Sequence, residues 1–270
     1  MLCAAGTLFG QQDPREIVRQ SVSHDQINFA EAKDYTYLER VERHDLDSGG
    51  RHKSTEIDTF DITMLGGRPY RRLIAKNDKP LSAEDDRKAR EKFDKTLRER
   101  ESESPSQRAK REAEREKERR ESREFLKEVP DAFDFRLAGE ELLDGHKVWV
   151  IDAEPRPGYR PQAPHAGILK KFRGRVWIEQ NSYQWVRLDS QAIDTVSFGL
   201  FLARLGKGTR IEFSQTRVND EIWLPRQVHV RVDARLALLK RLNEDVDITY
   251  SNYRKFRTDS RIVVTGEEAR

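Results

Sequence analysis

The sequence predicts a β-dominated α+β fold, in which a curled antiparallel sheet is covered by helices and carries an inserted charged helical arm. Three observations predict it: apolar residues alternate with a period of two over most of the chain, one long segment is charged on every side, and an amphipathic helix precedes the first strand. With 270 residues, of which 36% are hydrophobic, the chain can form one large domain with an insertion.

The first residues have the composition of the end of a signal peptide. Residues 1–10 are apolar or small, and the sequence turns polar at Gln11. We therefore expect residues 1–12 to be a signal-peptide remnant and residues 13–270 to be a single exported domain. A frayed terminus of a cytosolic protein is the alternative interpretation. The single cysteine, Cys3, excludes an intrachain disulfide and a thiolate metal site.

A helix and a three-stranded meander begin the predicted domain. Asp13 is a favourable N-cap, Pro14 is favourable in a first helical turn, and apolar residues at helical spacing extend the helix to about Ala32. From Tyr35 the period changes to two, which indicates strands. Three such strands, separated by glycine turns, follow one another as far as Ala75.

The segment from residue 82 to residue 128 is predicted to be helical and solvated on all sides. Glu and Lys or Arg recur at i,i+4 spacing, which favours helix without burial, and Pro105 divides the segment in two. We expect a protruding helical hairpin or long arm. The interleaved glutamates disfavour nucleic-acid binding, and the absence of apolar heptads disfavours a coiled coil.

Strand periodicity returns after Pro130 and continues to Phe256, with a first strand expected at residues 132–142. In residues 227–234 valines alternate with polar side chains, the pattern of a sheet with one buried face. Roughly nine to eleven antiparallel strands must curl, and a concave apolar face needs a cover. The N-terminal helix and residues 200–205 are the candidates for that cover.

The sequence contains no recognisable set of catalytic residues. Nucleophile-elbow, phosphate-loop and dinucleotide-binding motifs are absent, and Gly206-Lys-Gly-Thr209 is better interpreted as a hairpin turn. His44 and His52 face each other across a turn, where exposed hairpin residues are a simpler interpretation than a metal site. We therefore expect no enzyme activity, no catalytic residues, no metal and no cofactor.

Aromatic residues in the strands are the candidate binding residues. As core residues they are ordinary, whereas as the lining of a wide cavity they would bind an acyl chain by burying apolar area. The expected ligand-lining residues are Trp149, Trp177, Phe198, Phe201 and Phe213. Alternation alone does not reveal which face of the sheet is concave.

Short strand motifs recur between Gly145 and Phe256. They are Val148-Trp-Val-Ile-Asp-Ala-Glu-Pro155, Val176-Trp-Ile-Glu179, Trp185-Val-Arg-Leu188, Ile222-Trp-Leu-Pro225 and Ile248-Thr-Tyr-Ser-Asn-Tyr-Arg-Lys-Phe256. With this order of motifs, the chain resembles the LolA-like outer-membrane lipoprotein-sorting family and the periplasmic stress-sensor regulators of the same fold. It most resembles longer bacterial members that carry a Pro-Gly-Tyr-Arg-Pro loop, here Pro157-Gly-Tyr-Arg-Pro161.

The resemblance implies a half-barrel of antiparallel sheet, closed by helices, that holds acyl chains without catalysis in the periplasm of a Gram-negative-type envelope. The implied partner is a lipid or a lipidated protein, with peripheral membrane contact at most and no nucleic acid. The alternative is a periplasmic protein-interaction or envelope-sensor module, in which the charged arm contacts an envelope protein. The arm itself departs from the pattern of the small carriers.

Overall fold

The computed structural model describes residues 12–47, 49–65, 68–198, 203–236 and 240–255. This part of the chain forms three α-helices, one short 3₁₀ helix and 13 strands in a single sheet. The helices are α1 (Pro14–Ala32), α2 (Ala83–Glu101), α3 (Pro105–Ala132) and the 3₁₀ helix Ala166–Lys171. The strands are β1 (Tyr35–Leu46), β2 (His52–Leu65), β3 (Arg68–Lys76), β4 (Lys79–Pro80), β5 (Phe133–Leu143), β6 (His146–Pro155), β7 (Phe172–Glu179), β8 (Trp185–Ala192), β9 (Val196–Phe198), β10 (Ala203–Leu205), β11 (Arg210–Val218), β12 (Ile222–Leu236) and β13 (Lys240–Lys255).

The sheet is antiparallel and open, and its main path has the order β4-β3-β2-β1-β13-β12-β11-β8-β7-β6-β5. The short strands β9 and β10 lie beside this path, where β10 pairs with β12. Strand twist curls a path of eleven strands. The predicted β-dominated fold with one large antiparallel sheet and accompanying helices is confirmed. In the described part of the chain the sheet has 13 strands instead of the expected nine to eleven, because strands as short as β4 and β10 give no clear period in the sequence.

Helix α1 begins where the sequence predicts. The carboxylate of Asp13 accepts a hydrogen bond from the backbone N–H of Arg15 at 2.9 Å, and Pro14 is the first helical residue. Ile17 and Val18 are buried against the sheet. The helix ends at Ala32, also as predicted.

The charged segment forms two capped helices that meet at Pro105. The hydroxyl of Ser82 accepts a hydrogen bond from the Asp85 N–H at the start of α2. Ser104 and Gln107 form a reciprocal capping box at the start of α3. The break at Pro105 is therefore confirmed, and it marks the first residue of the second helix.

The arm is docked on the rest of the molecule, which corrects the expectation of a protruding hairpin. The ring of Phe93 packs edge-to-face on Tyr70 of β3 with centroids 5.3 Å apart, and Arg68 pairs with Glu118 at 3.0 Å. Helix α3 also packs against α1. Because β3–β4 and β5 are the two ends of the main strand path, α2 and α3 connect one edge of the open sheet to the other.

The strand expected from residue 132 begins one residue later, because α3 continues through Pro130. A proline near the end of a helix costs one backbone hydrogen bond, and here Pro130 and Ala132 are both buried. The side chain of Arg15 donates to the Pro130 carbonyl at 2.9 Å. Packing and this hydrogen bond together stabilise a last helical turn at the point where the sequence pattern predicts that the helix has already ended.

Residues 200–205 were a candidate cover for the sheet, and this expectation is wrong for the part that is described. Ala203–Leu205 is strand β10, which pairs with the end of β12 and extends the sheet. Residues 200–202 lie outside the described residues. The apolar side chains of this stretch suit a strand as well as a covering helix, which is why periodicity did not separate the two.

Replacing Ile151 by alanine tests the core beneath α1. Ile151 is 0% exposed and belongs to the cluster that packs on Ile17 and Val18. We expect Ile151→Ala to lower the free energy of unfolding by about 2–5 kcal/mol, measured by urea denaturation, because it leaves a cavity. Leu142 on the edge strand is 72% exposed. Leu142→Ala should change stability by less than about 0.5 kcal/mol, and an equal loss in the two variants would contradict the assignment.

Candidate functional site

One face of the sheet carries a continuous row of apolar side chains, which we call the apolar row. Each member lies directly opposite the next across a strand pair, so the row crosses eight strands. Its members are Leu137, Ile151, Val176, Leu188, Phe213, Val228, Ile248 and Val41. At β2 the row stops at Asp58, which lies opposite Val41. Side chains that share a row in this way form one surface.

The opposite face carries a parallel row of ionisable side chains, offset by one residue on each strand. Its members are Arg136, Asp152, Arg175, Asp189, Glu212, His229, Asp247 and Glu42. Asp152 accepts from both Arg136 and Arg175, and the second of these bonds is 2.6 Å long. Hydrogen bonding by Arg175 lowers the pKa of the Asp152 carboxyl. Along the ionic row this face is suited to water, although beside the row it also carries a buried apolar cluster that includes Val148, Val150 and Trp177. The apolar row has no such ionic side chains and requires a cover.

Helix α1 covers the apolar row at the β5–β7 end. Ile17 and Val18 pack on Trp149, Ile151 and Ile178, all of which are buried. Burying side chains of this size is the main favourable contribution to folding. This end of the row therefore belongs to the hydrophobic core.

Polar side chains fix α1 to the sheet. One carboxylate oxygen of Asp25 accepts from the Trp185 indole N–H at 2.6 Å and from Gln184 at 3.0 Å. The Asn28 amide makes two hydrogen bonds to the backbone of Trp223, of 2.7 and 3.0 Å. Because these bonds join the helix both to β12 and to the start of β8, with β11 between them, α1 is a fixed cover.

The middle of the apolar row is only partly covered, and we call this part the open half. Leu188, Phe213, Val228 and Ile248 are all partly exposed, and so are the neighbouring Ile211, Val230 and Val246 on the same face. Ile211 lies opposite Val230, and Val230 opposite Val246, so these residues form a second apolar row beside the first. A contiguous exposed apolar surface of this kind marks an interaction site more often than a scattered one does.

A group of tyrosines borders the open half on β1 and β13. The ring of Tyr37 lies 5.8 Å from that of Tyr250 and 5.4 Å from that of Tyr253. Beside them, Arg71 lies over the ring of Phe60 at 4.2 Å and donates a hydrogen bond to Glu39. We call these six residues the tyrosine cluster.

Burial raises the pKa of all three tyrosines in the cluster, and the nearby Glu39 carboxylate adds to this effect. For Tyr250 the pKa rises to about 12. The three hydroxyls therefore remain protonated at physiological pH and well above it. Each can donate a hydrogen bond throughout that range, and the hydroxyl of Tyr253 donates to the Pro225 carbonyl.

The expected ligand-lining residues lie in different places. Trp149 is on the α1 side of the sheet in the core, whereas Trp177 is on the opposite side with Val148 and Val150. Phe213 is in the open half, and its ring lies 4.8 Å from that of Trp185. Phe198 ends strand β9, but its side chain lies outside what the structure describes, as does the whole of Phe201.

Sequence reasoning missed most of the open half. The valine alternation in residues 227–234 identifies Val228 and Val230 as one face, but it does not show that they remain partly exposed. The tyrosine cluster was missed entirely. Its members come from β1, β2, β3 and β13, and no spacing in the sequence links them.

The described residues hold no group of three or more His, Cys, Asp or Glu side chains that could bind a metal ion. His44 and His52 do meet, with rings 5.8 Å apart, and both hydrogen-bond to the Thr55 hydroxyl. This is the hairpin arrangement that the sequence suggests. None of the helices in the described ranges is long and apolar enough to cross a membrane.

No protein-family model matches the sequence, and no curated protein matches it. Solved structures do match. A DUF1329 family protein from Desulfovibrio piger is 16% identical with a TM-score of 0.34, and the match covers 92% of this chain and 96% of that one. A LolA superfamily protein from Nitrosomonas europaea is 10% identical with a TM-score of 0.29, covering 92% and 94%.

The complex of MucA and MucB from Pseudomonas aeruginosa is a further match, 9% identical with a TM-score of 0.22, covering 87% of this chain and 99% of that one. The structural neighbours thus include the family that the sequence resembles.

The pH dependence of Tyr250 tests the cluster. Because burial raises its pKa to about 12, the unfolded tyrosine ionises near pH 10 while the folded one remains neutral. The contribution of the neutral hydroxyl to the free energy of unfolding is therefore fully present below pH 10, and it should be lost as the pH rises from 10 towards 12. In the folded protein, Tyr250→Phe should leave phenolate absorbance at 295 nm unchanged below about pH 11. In denaturant, the variant should show one tyrosine fewer than the wild type ionising near pH 10. If the folded variant already showed less phenolate absorbance than the folded wild type near pH 10, the raised pKa of Tyr250 would be contradicted.

Proposed function

We propose that this chain is a non-catalytic periplasmic binding or carrier protein that holds an acyl chain of a lipid or lipidated protein on the apolar row. The observation that carries the proposal is the open half. A row of side chains that begins as core under α1 continues across β8, β11, β12 and β13 as partly exposed surface. The proposal treats residues 13–270 as one domain.

An extended apolar ligand suits this surface better than a compact one. The four central strands of the row lie about 4.8 Å apart, so Leu188 and Ile248 are separated by about 14 Å. A linear alkyl chain laid along the row would contact each side chain in turn. Each methylene group removed from water contributes about 0.8 kcal/mol to binding, so a chain of moderate length gives useful affinity without a polar contact.

The periplasmic location and the absence of catalysis belong to the proposal. The location is supported by the likeness of the strand motifs over residues 145–256 to the lipoprotein-sorting family. The binding role is supported by the open half, which presents hydrocarbon side chains and no nucleophile. A chain of this kind acts by burying its ligand and releasing it to an acceptor.

Protein interaction through the arm is the second candidate function. Helix α2 has no buried residue, and its charged side chains satisfy one another along the helix, as in the pairs Glu84–Lys88 and Asp86–Arg90. Such a surface can exchange its own ion pairs for those of a partner at small cost. If alkyl ligands do not bind the folded protein, contact between α2 and an envelope protein becomes the leading hypothesis.

Lipid extraction and native mass spectrometry test the proposed function. Protein purified from the periplasm should carry a lipid, or should bind a fluorescent fatty acyl probe added afterwards. Val228→Asp should reduce the affinity for the probe about tenfold or more, because it places a charge in the path of the alkyl chain. Burying that charge costs more than the roughly 1.4 kcal/mol to which a tenfold change in affinity corresponds.

Gln227 supplies the matched control. It is the preceding residue of β12, and it is exposed on the ionic face. Gln227→Asp adds the same charge and should leave the affinity unchanged, while circular dichroism confirms that both variants are folded. Equal binding by the two variants, or no alkyl binding by the folded wild-type chain, would reject the apolar row as the site.

A further inference from the structure

The tyrosine cluster and the open half lie on the same face of the sheet. Tyr250 is two residues along β13 from Ile248, and it lies opposite Glu39, which in turn lies opposite Phe60. Two residues along a strand correspond to about 6.8 Å. A ligand that lies on the apolar row therefore meets the cluster within a few bonds of its end.

The groups that the cluster leaves unpaired are hydrogen-bond donors. Arg71 uses Nη2 to bind Glu39, and its other guanidinium N–H groups have no acceptor within the described part of the chain. In the same part of the chain, the hydroxyls of Tyr37 and Tyr250 have no hydrogen-bond partner. The one carboxylate of the cluster, Glu39, is already engaged. Only a ligand that offers acceptors would complete this set.

The guanidinium of Arg71 is held in position and is accessible. The ring of Phe60 lies 4.2 Å from it, and Glu39 binds one of its edges. The Arg71 side chain is 48% exposed, whereas that of Glu39 is only 12% exposed. A ligand that approaches from the solvent therefore meets the guanidinium before the carboxylate. A positioned, planar guanidinium is the protein group best suited to two oxygens of a carboxylate or phosphate.

We propose that the tyrosine cluster binds the anionic head, a carboxylate or a phosphate monoester, of an amphiphile whose alkyl chain lies on the apolar row. Arg71 provides the charged contact, and the hydroxyls of Tyr37 and Tyr250 provide neutral donors. This inference rests on the proposed function, because it names the ligand class of the same surface. Glu39 orients Arg71 and partly neutralises its charge. The cluster therefore discriminates between amphiphiles by their head groups, while the alkyl chain supplies most of the affinity.

Matched twelve-carbon probes test the inference by calorimetry on the full chain. Dodecanoate, dodecyl phosphate, dodecyltrimethylammonium and dodecyl maltoside share one alkyl chain and differ in the head, and each is used below its micelle concentration. We expect the two anionic probes to bind about tenfold more tightly than the nonionic one, the gain of one charge-assisted hydrogen-bond pair. Inorganic phosphate alone should not bind detectably. Tight phosphate binding would instead indicate a site for the free anion and would overturn the proposal.

Variants of Arg71 assign the preference to the cluster. Arg71→Gln should remove the tenfold advantage of the anionic probes, and Arg71→Lys should keep part of it, because a lysine retains the charge without the planar pair of donors. Arg72 is the control. It lies on the same strand but on the other face, where it pairs with Asp61 at 3.0 Å. Arg72→Gln should keep the full preference.

The outcomes separate this inference from the proposed function. If all alkyl probes bind with equal affinity, or if the cationic probe binds best, the head assignment is wrong while alkyl binding stands. If no probe binds, both are wrong. An anionic preference that survives in both Arg71 variants would also overturn the assignment, and should Arg71→Gln fail to fold, the Arg71→Lys and Arg72→Gln pair still decides it.

Discussion

The pairing register of β12 with β13 determines which side chains face which side across the middle of the sheet. Val228 lies opposite Ile248, and His229 lies opposite Asp247. A slip of β12 by one residue would place His229 among the apolar side chains and would move Val228 onto the ionic face. Both rows cross eight strands, so every strand pair along them must keep its apolar side chains on one face and its ionisable side chains on the other. The two faces thus stabilise one register cooperatively.

Helix α1 then divides the apolar face into core and open surface. The division is set by where the helix is fixed, and the polar bonds of Asp25 and Asn28 fix it. Apolar packing alone would let the helix slide along a row of similar side chains, whereas a hydrogen bond to one indole N–H allows a single position. The extent of the open half is therefore a consequence of two polar residues on the covering helix. The docked arm adds a second constraint, since α2 and α3 connect the two edges of the sheet.

Alternation in the sequence was enough to predict the longer strands, the single large sheet and the first helix, because these depend on local periodicity and capping. It could not place side chains on a common face across strands. Trp149 and Trp177 occupy opposite faces because Val150 pairs with Trp177, and the loop between β6 and β7 conceals that register. The arm was expected to protrude because it is charged on every side, yet it docks through the contact of Phe93 with Tyr70, the ion pair of Arg68 with Glu118 and the packing of α3 on α1. The tyrosine cluster forms only where β13 pairs with the distant β1 of the N-terminal meander, and it has no local signal.

The apolar row ends differently on its two sides, and this difference gives the surface a direction. Under α1 the row continues into the buried core at Ile151. Beyond Val41 it stops at Asp58, whose carboxylate faces Arg43 at 3.4 Å, and the charged pair of Glu39 and Arg71 lies close by. A ligand that is apolar along its whole length would remove water from these charged pairs without offering them a new hydrogen bond, and it could bind in either sense. A ligand with one polar end is favoured in a single orientation, because desolvating a charge with no compensating hydrogen bond costs more than a methylene group contributes.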